Sequence, residues 1–582
     1  MSERVLSVRR LMEKHRLDAY IVPSGDEHAN EIPMDCDKRR EYITGFTGSC
    51  GTAVLTKGKA VLWTDGRYAI QAERELDGSV WDCVVMGEKG APKTVDFLLE
   101  EIAEGGTVGI DSSVVSYEYV EKIQKILGRK KISVVTMTEN LVDMCWADRP
   151  PRKRGAITEH PAEYSGQSHG DKISAVRAEM KSAGLAVFLV SELDEVAWLF
   201  NLRGEDLPFT PVFFSYALIT EKDVLLYCNT ECLCSETTHR LCDVQIADCC
   251  VMDGEVSKMS FAAEKVGIAS GCCLRKALLF SDGVSVVPSP VEKLKATKNK
   301  TEIANMTRCH VLDGVAVVSF LCWLEGEVKA GRSVTEKEAA ARLEGERRKN
   351  TEFVSPSFET ISGYGENSAV IHYRAGDAVI GRSSLYLCDS GGQYLCGTTD
   401  ITRTVCFGEA SPEAKDVFTR VLRGNIELGR VVFPRQTTGG EIDVLARRPL
   451  WEAGYSYPHG TGHGVGCFLS VHEGPQSISP RSTSVALTEG MVLSNEPGFY
   501  LKGKYGVRIE NVLVVEESTQ SGFSRFRTLT AAPIQLSLVE KEALGPENVA
   551  WLNGYHCWVF SVLQSHLSPE CRAWLSEQTR SI

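Results

Sequence analysis

No apolar run of roughly 18 residues occurs in this 582-residue chain, so nothing in it is long enough to cross a bilayer as a helix. An excess of positive charge is missing too. The 64 Lys and Arg stand against 77 Asp and Glu, and a net −13 is the wrong sign for a protein held to nucleic acid by phosphate contacts. The opening MSERVLSVRRLMEKHRLDAY is a charged helix pattern without the apolar core of a secretory signal. Cysteine is plentiful, at 20, but C-x-x-C pairs at zinc-finger spacing are not, and the chain is no small scaffold in need of disulfide staples. Reduced thiols in the cytoplasm are therefore the expectation. The length predicts several domains.

What is present begins with a repeat. Helical spacing over 5–16 leads into DAYIVPSGDEH, a strand running into a loop, and YITGFTGSCGTAVL, KAVLWTD and TVGID read as further strands of an α/β unit. Residues 149–168, rich in Pro, Gly and charge, read as a linker. The pattern then restarts. A helix near 172–182 precedes LAVFLVSELDE, which echoes LDAYIVPSGDE. EVAWLFNLRG and YALITEKDVLLY echo REYITGFTGS and AVLTKGKAVLW in the same order, which points to two homologous domains rather than a solenoid. A second boundary falls at 287–300, and a long helix pattern over 301–327 opens the largest domain. The expected division is 1–150, 151–295, 296–540 and a helical extension over 541–582. The aromatic-rich WLNGYHCWVFSVLQSHL of that extension is expected to pack against the third domain or a partner subunit.

The chemistry concentrates in the third domain. HGTGHGVGCFLSVHEGP (459–475) places His459, His463 and His472 among five glycines, which reads as a loop wrapped around a ligand, glycine permitting close approach and positive φ. SLYLCDSGGQY and TTDITRTVCF read as two strands joined by a turn. A turn centred near Tyr394–Leu395 would set Asp389 and Asp400 opposite each other on one face. Opposed like charges destabilise a strand pair unless a cation lies between them. MVLSNEPGFY and YGVRIENVLVV repeat the arrangement with Glu496 and Glu510, and Arg508 is expected to share the face of Glu510 and brace a carboxylate. Four carboxylates and one glycine-flanked histidine form an oxygen-rich set suited to a hard divalent ion such as Mn²⁺.

These motifs carry a resemblance. DSGGQYLCGTTDITRT, HGTGHGVGCFLSVHEGP, EPGFY and GVRIENV resemble the motif set of the Xaa-Pro aminopeptidases (aminopeptidase P), dinuclear metallopeptidases of the pita-bread fold. SGDEH, GFTGSCGTA, LWTDGRY, NLVDMCWADRP, AWLFNLRG and PVFFSYA extend the likeness over nearly the whole chain, toward the three-domain cytosolic form. The resemblance implies an α/β (α+β) chain with two related creatinase-like N-terminal domains and a C-terminal pita-bread catalytic domain. It implies metal ligands Asp389, Asp400, His463, Glu496 and Glu510, holding two divalent ions per subunit, Mn²⁺ ahead of Zn²⁺ or Co²⁺. It also implies catalytic roles for His372, His459, His472 and Glu496. Arg67, His372 and His472 would contact substrate, with Tyr500 and Arg508 behind the ligands. The implied reaction is attack by a hydroxide bridging the two ions, on peptides with proline second, in a cytoplasmic homodimer with no nucleic-acid or membrane partner. Methionine aminopeptidases and prolidases share the ligand set, and a prolidase would cleave dipeptides alone. Metal-free peptide-binding modules share the fold but have lost ligands, and none is lost here.

Overall fold

The computed structural model describes residues 3–259, 261 and 265–582. Two compact units emerge: Met1–His160 with Gln167–Glu292, and Pro161–Gly166 with Lys293–Ile582.

The first unit contains the repeat. One six-stranded sheet runs, edge to edge, Asp82–Met86, Ala60–Asp65, Thr52–Thr56, Ala19–Pro23, Thr107–Asp111 and Ser133–Met137. The other runs Gln245–Asp248, Val224–Cys228, Ser215–Thr220, Val187–Val190, Val266–Ile268 and Ser285–Val286. Their directions match pair for pair: the outer pairs are parallel and the two inner pairings of the first three chain-order strands are antiparallel. The strands read as near-continuous apolar runs because both faces are covered, as in VFLV, where all four residues are buried. One segment departs from expectation. The opening YIT of YITGFTGSCGTAVL was expected to be strand, yet Arg39–Thr44 is a helix closed by Gly45 at φ 77°, and the strand begins only at Thr52. Its counterpart in the repeat, Leu193–Phe200, is a helix too. Burial of Ile43 and of Phe46 just beyond the helix decides the conformation, and intrinsic propensity is overridden. The linker is also ordered in part. Thr158–Glu159 pairs with Leu202–Arg203, and Ala162–Ser165 forms a helical turn within the second unit, where Asn299 Nδ2 donates to Ser165 O at 2.8 Å.

The second unit opens with the helix Lys300–Lys329, started by a capping box of Asn299 and Glu302. Leu385–Ser390 lies between Ile361–Tyr364 and Ile401–Cys406 in a three-stranded sheet. A six-stranded sheet runs Val432–Pro434, Phe523–Thr528, Asn511–Glu517, Val492–Asn495, Gly462–Gly464 and Glu473–Ile478. Fully buried Arg403 joins the two sheets: it donates to the carbonyls of Glu510 (2.7 Å), Ala532 (2.9 Å) and Pro533 (3.0 Å) and to Asn511 Oδ1 (2.9 Å). The tail forms the helices Pro546–Leu563 and Pro569–Gln578 and packs on this unit. Arg403 donates to the Tyr555 hydroxyl at 3.0 Å, Ile534 N–H to His556 Nε2 at 3.1 Å, and Trp574 Nε1 to Glu325 at 2.7 Å. Among the described residues no helix is long and apolar enough to cross a membrane.

Candidate metal centre

Two strand pairs deliver four carboxylates to one place. In the first, Asp389 faces Thr402 and Ser390 faces Ile401, so the turn lies one residue later than the sequence reading put it. Asp389 and Asp400 are consequently diagonal rather than directly opposed. They still share a face, because Asp400 is two residues from Thr402. In the second, Asn495 faces Asn511 and Gly498 faces Arg508, and the same register puts Glu496 opposite Glu510.

His463 comes from the short strand Gly462–Gly464. The glycines here serve contact rather than turning. A Cβ at Gly462 would meet Ser494 O at 2.0 Å, and one at Gly464 would meet Glu473 O at 2.4 Å. The positive φ in this loop belongs instead to Phe468, at 51°. His463 Nδ1 lies 2.9 Å from the Gly464 carbonyl and so carries the hydrogen. Its Nε2 faces Asp400 Oδ2 at 3.4 Å and Glu496 Oε1 at 3.5 Å. The His472 ring stands edge-on to it, 4.3 Å between centroids. Beside His472, buried Glu473 is held by Lys295 at 2.7 Å and by Lys298.

Ligand atoms fall into three overlapping groups, each within 4.8 Å: Asp400, His463 and His472; His463, Glu496 and Glu510; Asp389, Asp400 and Glu510. Burial, then mutual repulsion, pushes the Glu510 carboxyl well above its ordinary range. Burial also raises Asp389 against the opposing pull of Arg508, and Glu496 up to about 7. Asp389 Oδ1 is buried without a hydrogen-bond partner. Crowded acids, an orphaned oxygen and an imidazole nitrogen converging on one place are what a cation would reconcile. The residues fit two divalent ions.

Arg508, expected to brace a carboxylate, does so across the sheet: Nη2 donates to Asp389 Oδ2 at 2.6 Å, not to its neighbour Glu510. Glu510 accepts instead from Thr402 Oγ1 at 2.7 Å. Arg508 Nη1 donates to the Tyr500 hydroxyl at 2.8 Å, which lies 2.8 Å from His459 Nε2. With Nδ1 2.7 Å from the Gly460 carbonyl, His459 accepts the Tyr500 proton and is neutral; burial, then Arg508, pushes it down to about 3. His372 lies close enough to add to that depression. Arg67 lies in the first unit, its guanidinium paired with Asp65 at 2.8 Å, on the wall of a cavity of about 650 Å³. Sequence reasoning missed the buried Asp443–Arg447 pair, whose arginine holds the His459 loop through the carbonyls of Tyr457 (3.0 Å) and His459 (2.7 Å). The i,i+4 spacing of the pair was visible, but its burial was not.

Residues 304–517 match the model of metallopeptidase family M24, 4–145 and 148–302 each match a creatinase/prolidase N-terminal domain, and 522–582 match the C-terminal region of the peptidase M24 group. The chain is 41% identical to a probable Xaa-Pro aminopeptidase P of Laccaria bicolor, over 99% of this chain and 93% of that one. It is equally identical to one of Aspergillus niger, over 100% and 99%. Among solved structures, it resembles the X-prolyl aminopeptidase of Caenorhabditis elegans, described as a cytosolic enzyme with a di-nuclear active site. The TM-score is 0.97, with 34% identity and coverage of 100% and 99%.

Proposed function

The chain belongs to metallopeptidase family M24, and we propose how its residues carry out the reaction of its Xaa-Pro aminopeptidase lineage. It is a metalloaminopeptidase that hydrolyses the bond between the first residue of a peptide and a proline at the second position, releasing the first residue. The overlap of three ligand groups on Asp400, His463 and Glu510 is the observation that carries our assignment of the site. Two divalent ions held by Asp389, Asp400, His463, Glu496 and Glu510 would supply an acidified attacking water and a positive field for the oxyanion. Manganese is our choice ahead of zinc or cobalt, because four of the five donors are carboxylates.

An Xaa-Pro bond is a tertiary amide without an N–H, so a site that grips the extended backbone through that hydrogen fails on it. Here the carbonyl must be gripped instead. His472 and His372 donate hydrogen bonds to it and to the developing oxyanion. Glu496 takes a proton at a carboxylate oxygen from the attacking water and returns it to the proline nitrogen, which cannot leave as an anion. Neutral His459, Tyr500 and Arg508 keep Asp389 in place. Arg67 pairs with a carboxylate or carbonyl oxygen of substrate. We infer also a homodimer in the cytoplasm and domain boundaries near 150, 295 and 540, with lineage as the support.

The test is a chelator-stripped enzyme assayed on Arg-Pro-Pro with Mn²⁺, Zn²⁺, Co²⁺ or Mg²⁺ returned singly. Free arginine released on return of an ion is the expected result, and it separates this activity from a strict dipeptidase. Full cleavage in the stripped protein, or none with any ion, would sink the assignment.

A further inference from the structure

Glu336 opens the helix Glu336–Arg347 and is wholly shielded from solvent, outside the carboxylate cluster. Its side chain accepts four hydrogen bonds, all from residues 364–376. Oε1 takes Tyr364 N–H at 2.7 Å and Asn367 Nδ2 at 3.0 Å; Oε2 takes the Tyr373 hydroxyl at 2.8 Å and Gly376 N–H at 3.1 Å. Its backbone ties the flanks of the same segment. The carbonyl accepts from Ser362 Oγ at 2.8 Å, and the N–H donates to Ala378 O at 3.0 Å.

His372 sits inside this segment, between the short turn Gly365–Ala369 and the strand Leu385–Ser390, where no ladder or helix fixes the backbone. Chain of that kind takes its shape from whatever satisfies its polar groups. Here one carboxylate satisfies four of them, two on each side of residue 372. Closure is tight: a Cβ at Gly376 would fall 2.6 Å from the Tyr373 hydroxyl and 3.3 Å from Glu336 Oε2. The segment is also tied toward the metal centre, since Gly506 N–H, on the strand that carries Arg508, donates to Ser368 Oγ at 2.7 Å.

We infer that Glu336 is a positioning residue for the peptidase reaction, clamping 364–376 so that the His372 imidazole meets the substrate carbonyl. The inference rests on the substrate contact proposed above for His372. Glutamine at 336 would offer an N–H₂ where two donors now point, so the clamp loses half its acceptors and must rearrange.

The test uses the metal-loaded full chain and Arg-Pro-Pro, with Glu336→Gln and the milder Tyr373→Phe made alone and on His372→Ala. Loss of the clamp displaces His372, and a misplacement of about 1 Å costs on the order of 100-fold in kcat. Glu336→Gln should show that loss with its metal content unchanged, and Tyr373→Phe a smaller loss in the same direction. On His372→Ala, neither substitution should lower kcat further. Losses that multiply on His372→Ala, or a loss of bound metal that accounts for the activity, would overturn the inference while leaving the role of His372 intact. Wild-type turnover in His372→Ala itself would overturn the reading of that histidine and this inference with it. If Glu336→Gln does not fold, the comparison of Tyr373→Phe in the two backgrounds decides alone.

Discussion

Replacing Glu510 with glutamine should stabilise the metal-free protein while ending its activity. The ligand atoms of Glu510, Asp389 and Asp400 lie within 4.8 Å of one another, and all three residues are buried. Two unit negative charges at that separation repel by about 3 kcal/mol at an effective dielectric of about 20. Arg508 offsets this at Asp389 only, through its 2.6 Å contact. Proton uptake lets the empty site escape part of the repulsion, leaving a net relief of about 2 kcal/mol for the substitution. Glutamine keeps an acceptor for the Thr402 hydroxyl, which lies 2.7 Å from Glu510 Oε2, so little packing is lost. The sign with pH follows. An acid raised in the folded state binds more protons there than in the unfolded chain, so metal-free stability falls as pH climbs above the ordinary carboxyl range. Glu510→Gln should flatten that fall. Calorimetric melts in chelator from about pH 5 to about pH 8 measure it, where about 2 kcal/mol corresponds to roughly 3 °C for a unit of this size. Added Mn²⁺ should reverse the order, because ions bound to the folded site stabilise it by an amount that grows with the logarithm of their affinity, and the wild-type site keeps all its carboxylates. A metal-free Glu510→Gln protein that melts below wild type, or with the same pH slope, would refute the account of the crowded acids.

Three further outcomes are expected. Tyr500→Phe breaks the link from Arg508 to His459 and should lower kcat on Arg-Pro-Pro by roughly tenfold, at a stability cost of about 1 kcal/mol in a melt; unchanged kcat would remove Tyr500 from the chain. Arg447→Met leaves Asp443 buried without its cation and frees the Tyr457 and His459 carbonyls, so it should cost about 3–5 kcal/mol in denaturant unfolding, and a neutral result would contradict the burial of the pair. His556 is buried and pushed down to about 4 from an ordinary 6.5, so the folded chain binds fewer protons in that window. Stability should therefore be present above about pH 6.5 and fall by about 3 kcal/mol as pH drops to about 4. His556→Gln should remove that part of the slope, and identical pH profiles would count against it.

Much of the architecture was legible in the sequence because it is written locally. Continuous apolar runs marked the central strands of the two sheets of the first unit, and the repetition of LDAYIVPSGDE as LAVFLVSELDE announced the duplication; the less apolar or shorter strands Asp82–Met86, Ser133–Met137, Gln245–Asp248, Val266–Ile268 and Ser285–Val286 did not stand out. The acids that gather at the centre were legible for a similar reason. Each sits at the end of a strand whose period is two, so residues of one face can be counted off even when a turn is misplaced. The turn between Asp389 and Asp400 was misplaced, and the error changed opposition to a diagonal without moving either acid to the other face. The start of YITGFTGSCGTAVL misled because β-branched residues in a short window read as strand, and the pocket that receives Ile43 and Phe46 is not written in that window.

Partnerships between distant residues belong to the tertiary structure alone. That Arg508 pairs with Asp389 and leaves Glu510 to Thr402 depends on which strands lie side by side, and those residues stand 119 and 108 positions apart. The placement of Lys295 and Lys298 on Glu473, of Arg447 beneath His459 and of Glu336 at the hub of the His372 segment likewise follows from burial. A buried charge must find its partner wherever the fold puts one, and sequence spacing carries no record of that search.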